Sequence, residues 1–299
     1  MNTDNQDTPA GLGFAIGAYV LWGFLPLYMK ALDHVGPAEV VAHRVIWAVP
    51  VAAALLIALR RTSDLWRALR TPRMLAMGCV TAALISVNWG IYVWAIAEGR
   101  ALDASLGYYA NPLFSVALSA LFLGERPAGI QWVAIALAAG AVVVLTVSAG
   151  AVPWAAVGLM VSWGFYALAK KQLPIGPNQG FLLEVLILLL PALGYVLWLG
   201  PQGGFMTGDD VTTWLLLGCG AVTAVPLILY ANGAKRLRLT TIAILQYIAP
   251  TMIFLCAVLV FKEPFDTARM IAFPMIWAAL IIYSVSILGT MRKAKGHGA

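Results

Sequence analysis

Residues 106–125, LGYYANPLFSVALSALFLGE, and residues 244–263, ILQYIAPTMIFLCAVLVFKE, carry one pattern twice at a constant offset of 138 positions. Tyr109 meets Tyr247, Pro112 meets Pro250, Leu121 meets Leu259 and Glu125 meets Glu263; upstream, Tyr92 meets Tyr230. At offset 141, Trp22-Gly23-Phe24 meets Trp163-Gly164-Phe165, Gly17 meets Gly158 and Lys30 meets Lys171. One register held over a helix pair argues for an internal duplication. The halves divide as residues 1–150 and 151–299.

The solvent of this repeat follows from composition. Of 299 residues, 62% are hydrophobic and 11% charged, and the mean hydropathy is +0.86; soluble domains carry about 25% charged residues. A bilayer span takes roughly 20 mostly apolar residues. Reading apolar runs between Gly, Pro and charge punctuation predicts ten spans, at 11–30, 37–59, 74–97, 105–123, 130–148, 154–171, 179–199, 211–233, 240–261 and 268–289. A transmembrane barrel is excluded, because its strands alternate, whereas Leu182 to Leu190 is almost uniformly apolar. Five spans per copy is an odd number, so the second copy enters from the opposite side. The predicted fold is an all-α membrane protein of ten transmembrane helices in two inverted five-helix repeats. Such a pair can open to either face around a site near the midplane.

The net charge of +6 then concerns topology rather than nucleic acid. Lys and Arg beside spans concentrate on the cytoplasmic side. With the N-terminus inside, Arg60, Arg61, Arg67, Arg70, Arg73, Arg126, Lys170, Lys171, Lys235, Arg236, Arg238, Arg292, Lys293 and Lys295 fall inside, against Lys30, Arg100, Lys262 and Arg269 outside. Both termini are therefore expected in the cytoplasm. The polar, acidic N-terminus has no signal-peptide pattern, so the first span is expected to be retained. Cys79, Cys219 and Cys256 sit in apolar stretches and are read as packing residues.

Polar side chains at membrane depth are expensive and face a cavity or another helix. Thr81, Asn88 and Tyr92 share one face of span 3; Ser105, Tyr108 or Tyr109, Pro112 and Ser119 share one of span 4. Thr223, Pro226 and Tyr230 on span 8, with Gln246, Tyr247 and Pro250 on span 9, repeat the arrangement, and spans 1 and 6 add Trp22, Trp163 and Tyr166. A cavity lined from spans 1, 3, 4, 6, 8 and 9 is expected. Pro112 and Pro250 are candidate hinges, with simple helix bending the alternative. Gly13 and Gly17 are expected to permit close helix packing. Trp66, Trp154, Trp198 and Trp214, near span ends, read as an interfacial belt.

His43 either orients a substrate or carries a proton, a packing role being the alternative. Arg44 beside it is expected to snorkel outward. Glu184, well inside span 7, is expected to pair with Lys170 or Lys171 in preference to coupling a proton. Glu125 and Glu263, just before spans 5 and 10, suit the positive ends of those helices. No hydrolase, phosphate-loop or metalloprotease motif occurs, and His34, His43 and His297 are too scattered for a metal site. Neither an enzyme, nor a metal site, nor a cofactor is expected.

Trp22-Gly23-Phe24 with Pro26 and Lys30, His43-Arg44-Val45-Ile46-Trp47, Asn88-Trp89 through Trp94-Ala95, Ser105 through Leu113, Leu123-Gly124-Glu125-Arg126, Gln131-Trp132 and Gln246 through Thr251 together resemble the drug/metabolite transporter superfamily. Within it, the chain is similar to the EamA-domain branch with its RarD-like and YddG-type members. The resemblance implies a ten-helix basket in the bacterial inner membrane that exports small metabolites. It also implies amino acids, aromatic ones included, as substrates of the YddG type, and chloramphenicol permeation as the label often given to RarD-like members. Candidate substrate-binding residues are Trp22, His43, Asn88, Tyr92, Tyr109, Trp163, Tyr166, Tyr230, Gln246 and Tyr247. The expected partners are a small-molecule substrate and the lipid bilayer, with no nucleic acid, and the expected state is a monomer. A multidrug efflux permease and a membrane sensor without net flux are the alternative functions.

Overall fold

Apolar runs of about twenty residues satisfy their own backbone as helices, and the computed structural model is helical throughout its described residues, with no strand among them. It describes residues 7–60, 62–122, 127–206, 209–234, 236–237 and 239–296. Glu125, Arg126, Lys235, Arg238, Arg61 and His297, named above, lie outside these.

The helices are α1 (Pro9–Lys30), α2 (Pro37–Ala58), α3 (Ser63–Arg70), α4 (Pro72–Ala97), α5 (Ala101–Phe122), α6 (Gly129–Ala149), α7 (Trp154–Gln172), α8 (Pro177–Leu199), α9 (Asp210–Ala234), α10 (Leu239–Leu245), α11 (Ile248–Leu255) and α12 (Thr267–Gly296). Proline opens α1, α2, α4 and α8, where its missing N–H costs nothing. Thr8 caps α1, its hydroxyl accepting from Gly11 N at 3.1 Å. Gly150 ends α6 in the left-handed region at φ 65°, which a residue without Cβ enters freely.

Seven described helices are long and apolar enough to cross a membrane: α1, α2, α4, α6, α8 with its C-terminal turn, α9, and α12 to Ser286. The other three predicted spans fall on α5, on α7 and on α10–α11 with the following Cys256–Val260 segment. One departure from the predicted spans has a plain cause. The predicted span 240–261 is broken at Gln246–Tyr247, and Cys256–Val260 winds as a π-helix. Pro250 offers no N–H, and its ring collides with the carbonyl of residue 246, which ends α10 four residues upstream. The short α3, absent from the span reading, buries Leu65 and Ala68 and exposes Trp66, Arg67 and Arg70.

The bundle exposes an apolar surface and buries a minority of polar side chains inside a mainly apolar core. Thr81, Asn88, Ser105, Ser162 and Thr223 are buried, while Val147, Leu190, Leu197 and Ile281 are exposed. An apolar exterior with its polar groups shielded suits hydrocarbon as solvent. Trp66, Trp154, Trp198 and Trp214 are exposed, as a belt requires. α6 packs along α12 on one flank and α2 along α8 on the other; between them α1 meets α9 and α11, and α7 meets α4 and α5. Exchanging α1 with α7, α4 with α9, and α5 with α11 maps these contacts onto one another. Small residues set the crossings, although not those expected. Gly13 has open space about it and Gly17 only ordinary contact with Leu229. A Cβ on Gly107 would stand 2.6 Å from the Ala156 carbonyl oxygen of α7, and one on Gly220 would collide with the Trp47 backbone of α2.

Candidate functional site

The predicted site residues other than His43 fall in three places. On α1 and α9, Trp22 and Tyr230 lie 5.7 Å apart between ring centres, and Tyr19 closes the trio at 5.6 and 5.9 Å. On α4, α5 and α7, Tyr92 meets Tyr108 at 5.9 Å, Tyr108 meets Trp163 edge-on at 6.4 Å and Trp163 meets Tyr166 at 5.6 Å. Asn88 ties this group together: its amide donates to Leu159 O at 3.1 Å and Ser162 Oγ at 2.9 Å, and its carbonyl accepts from Tyr108 at 3.2 Å. Tyr109 and Tyr247 share a third place, a cavity of about 540 Å³ whose wall also includes Thr251, Phe254, Trp277 and Ser284. Tyr109 donates to Thr251 Oγ1 at 2.7 Å, and Thr251 in turn donates to Tyr247 O at 2.6 Å. Gln246 sits at the helix break, one residue before Tyr247. The contribution of α12 was not foreseen, because its Trp277 and Ser284 read as one more apolar span.

His43 belongs to a different neighbourhood. Trp47 Nε1 donates to its Nδ1 at 3.0 Å, which assigns the ring proton to Nε2 in the neutral form. The ring packs on Phe205, 4.7 Å between centres, and Phe205 also touches Trp47 at 5.9 Å. Buried Glu39 pulls the Phe205 loop down, accepting from Gly204 N at 2.8 Å and Phe205 N at 3.3 Å, and it stands 3.9 Å from His43 Nε2. His34 bonds Thr212 at 2.8 Å close by. Asp209 accepts from Thr212 N at 2.7 Å, and its bonds to Thr212 hold its carboxyl below the ordinary carboxylate range. Gly204 and Phe205 are thus fastened to Glu39 near the N-terminal end of α2. Glu39 and Phe205 were missed by the sequence reading; the spacing of Glu39 four residues before His43 was the available signal.

Arg44 corrects an expectation. It does not snorkel: it is 3% exposed, donates through Nε to Thr223 Oγ1 of α9 at 3.0 Å and lies 4.6 Å over the Trp89 ring. Glu184 behaves as expected, accepting from Lys170 Nζ at 2.6 Å, with Tyr166 donating to its other oxygen at 3.2 Å. A buried pair of this kind loses about 3–5 kcal/mol when one partner is removed.

Glu263 is a second correction. Its carboxylate caps α5 rather than α12, accepting from Ala101 N at 2.6 Å and Leu102 N at 2.9 Å. Burial raises its proton affinity above the ordinary carboxylate range against the pull of those two amides. Asp266 caps α12 instead, through Arg269 N at 2.8 Å.

Aromatic walls with a few fixed polar groups are what a small amphipathic ligand requires, and comparison with known proteins gives that arrangement a family. The EamA-like transporter family model matches residues 9–147 and again 151–285. The chain belongs to the EamA-like transporter family. It is therefore a multi-pass membrane transporter. This EamA chain is 43% identical to an uncharacterized transporter of Vibrio cholerae over all of its own length and 98% of that protein. It is 41% identical to Protein RarD of Streptomyces exfoliatus, covering 99% of this chain and 95% of that one. A protein of known crystal structure, 22% identical, superposes with a TM-score of 0.60 over 93% of this chain and 98% of its own, which speaks for the fold alone.

Proposed function

We propose that this chain exports amino acids, aromatic ones included, or similar small amphipathic metabolites by alternating access. In this reading ten spans form two inverted five-helix repeats, residues 1–150 and 151–299, in the bacterial inner membrane with both termini cytoplasmic. One observation supports it above the others: α1 on α9 and α11 is matched by α7 on α4 and α5, so the two halves carry equivalent seams. Seams of that kind can trade places between two states. The substrate would lie against Trp22, Tyr92, Trp163, Tyr166 and Tyr230, with Asn88 and His43 supplying hydrogen bonds, and Tyr109, Gln246 and Tyr247 lining the second seam.

Saturable flux of labelled L-phenylalanine and L-leucine in proteoliposomes is the expected result, and no saturable flux of any amino acid would remove the reading. Cysteine tags at both ends should label from the cytoplasmic face alone. The mainly apolar cavity at Tyr109 and Tyr247 supports a second reading, efflux of chloramphenicol-like drugs, which predicts drug flux without amino-acid flux.

A further inference from the structure

Arg44 is a cation in the interior of the bundle with no anion paired to it among the described residues. None of the described ion pairs includes Arg44, and its Nη1 has no hydrogen-bond partner. A guanidinium cannot neutralise itself by losing a proton, as a buried lysine can. Thr223 and the Trp89 face compensate part of its lost hydration, and they leave Nη1 open. Trp89, under the guanidinium, shares α4 with Tyr92, whose ring lies 5.9 Å from that of Tyr108. Tyr92, 2% exposed and three residues from Trp89 on α4, likewise has a hydroxyl with no partner. Tyr108 already donates to Asn88. Two buried donors, Arg44 Nη1 and the Tyr92 hydroxyl, therefore have no hydrogen-bond acceptor among the described residues.

The repeat sharpens the contrast. Both copies begin this helix with Gly-Pro, at residues 36–37 and 176–177, and in that register Arg44 occupies the position of Glu184. Glu184 has its counter-charge in Lys170, whereas Arg44 has none among the described residues. Buried donors are satisfied in nearly every folded protein, and a carboxylate offers two acceptor oxygens and the missing charge at once.

We propose that Arg44, with Tyr92, is the carboxylate anchor of the transported substrate. The anchor rests on the transport reading above and deepens it, restricting substrates to carboxylate-bearing molecules and disfavouring neutral drugs.

The test is binding to the purified full chain in detergent, read as the shift in thermal unfolding midpoint with L-phenylalanine or with L-phenylalaninamide, together with flux of both probes in proteoliposomes. The acid should raise the midpoint and the amide should not. Arg44→Gln should weaken acid binding at least tenfold, Arg44→Lys should retain part of it, and Tyr92→Phe should weaken it about threefold. Should Arg44→Gln not fold, Arg44→Lys and Tyr92→Phe decide. Equal response to acid and amide, no response to the acid, an unchanged acid affinity in the variants, or a midpoint shift with chloride as large as with the acid would each overturn the anchor. Flux is scored apart: acid-selective binding without flux removes the transport reading and leaves the anchor, while flux indifferent to the carboxylate does the reverse.

Discussion

α5 and the α10–α11 pair start from the same motif, a Tyr three residues before a Pro, and end differently. α5 runs unbroken from Ala101 to Phe122 through Pro112, whereas the second copy breaks at Gln246–Tyr247. Each proline removes one hydrogen bond and presses on the carbonyl four residues back. In α5 the surrounding contacts override that pressure. Gly107 admits the α7 backbone, Tyr109 is 3% exposed, and Glu263 satisfies the first amides of the helix. In the second copy the position of Gly107 is taken by Leu245, Tyr247 is only half-buried, and the chain yields. A proline is thus a latent hinge, and packing decides whether it opens.

That comparison can be broken experimentally, first at the seam. Gly107→Leu, which writes the second copy's residue into the first, forces a side chain against the Ala156 carbonyl and should destabilise the folded protein by about 1–3 kcal/mol or more. Thermal unfolding in detergent measures it, and Leu245→Ala should cost less. Next in size, Pro250→Ala should let α10 and α11 join. Amide exchange at residues 246–250 should then slow by about tenfold, roughly 1.4 kcal/mol, with reduced flux, while Pro112→Ala leaves α5 unchanged on both measures.

Tyr109→Phe removes the donor to Thr251 and should cost about 1 kcal/mol. The smallest effect is the pH slope from Glu263. Because burial raises its folded pKa, the folded chain holds this proton more tightly than the unfolded one. Its contribution to stability is full below the unfolded value and declines as pH rises through the folded one. Thermal midpoints across the carboxylate range should fall with rising pH, and Glu263→Gln should flatten that fall.

Much of this molecule was legible before its coordinates. The segments read at 37–59, 154–171 and 211–233 end within a residue of α2, α7 and α9, since spans are set by local apolar length. The pairing of Glu184 with Lys170 was legible too, because a carboxylate inside a span needs a counter-charge. Arg44 was misread: snorkelling assumes lipid on every side, and Thr223 and Trp89 come from helices remote in sequence. Glu263 was assigned to the helix that follows it, whereas its partners lie more than 160 positions upstream.

Hydropathy and the doubled motif by themselves determined that this chain is a helical membrane protein, because the cost of an unpaired backbone in hydrocarbon depends on local composition alone. Which proline breaks its helix, which carboxylate caps which end, and which charge is left without a partner were decided only by tertiary structure. Those outcomes depend on what the opposing helix places within a few ångströms, and one helix's pattern does not encode its neighbour's.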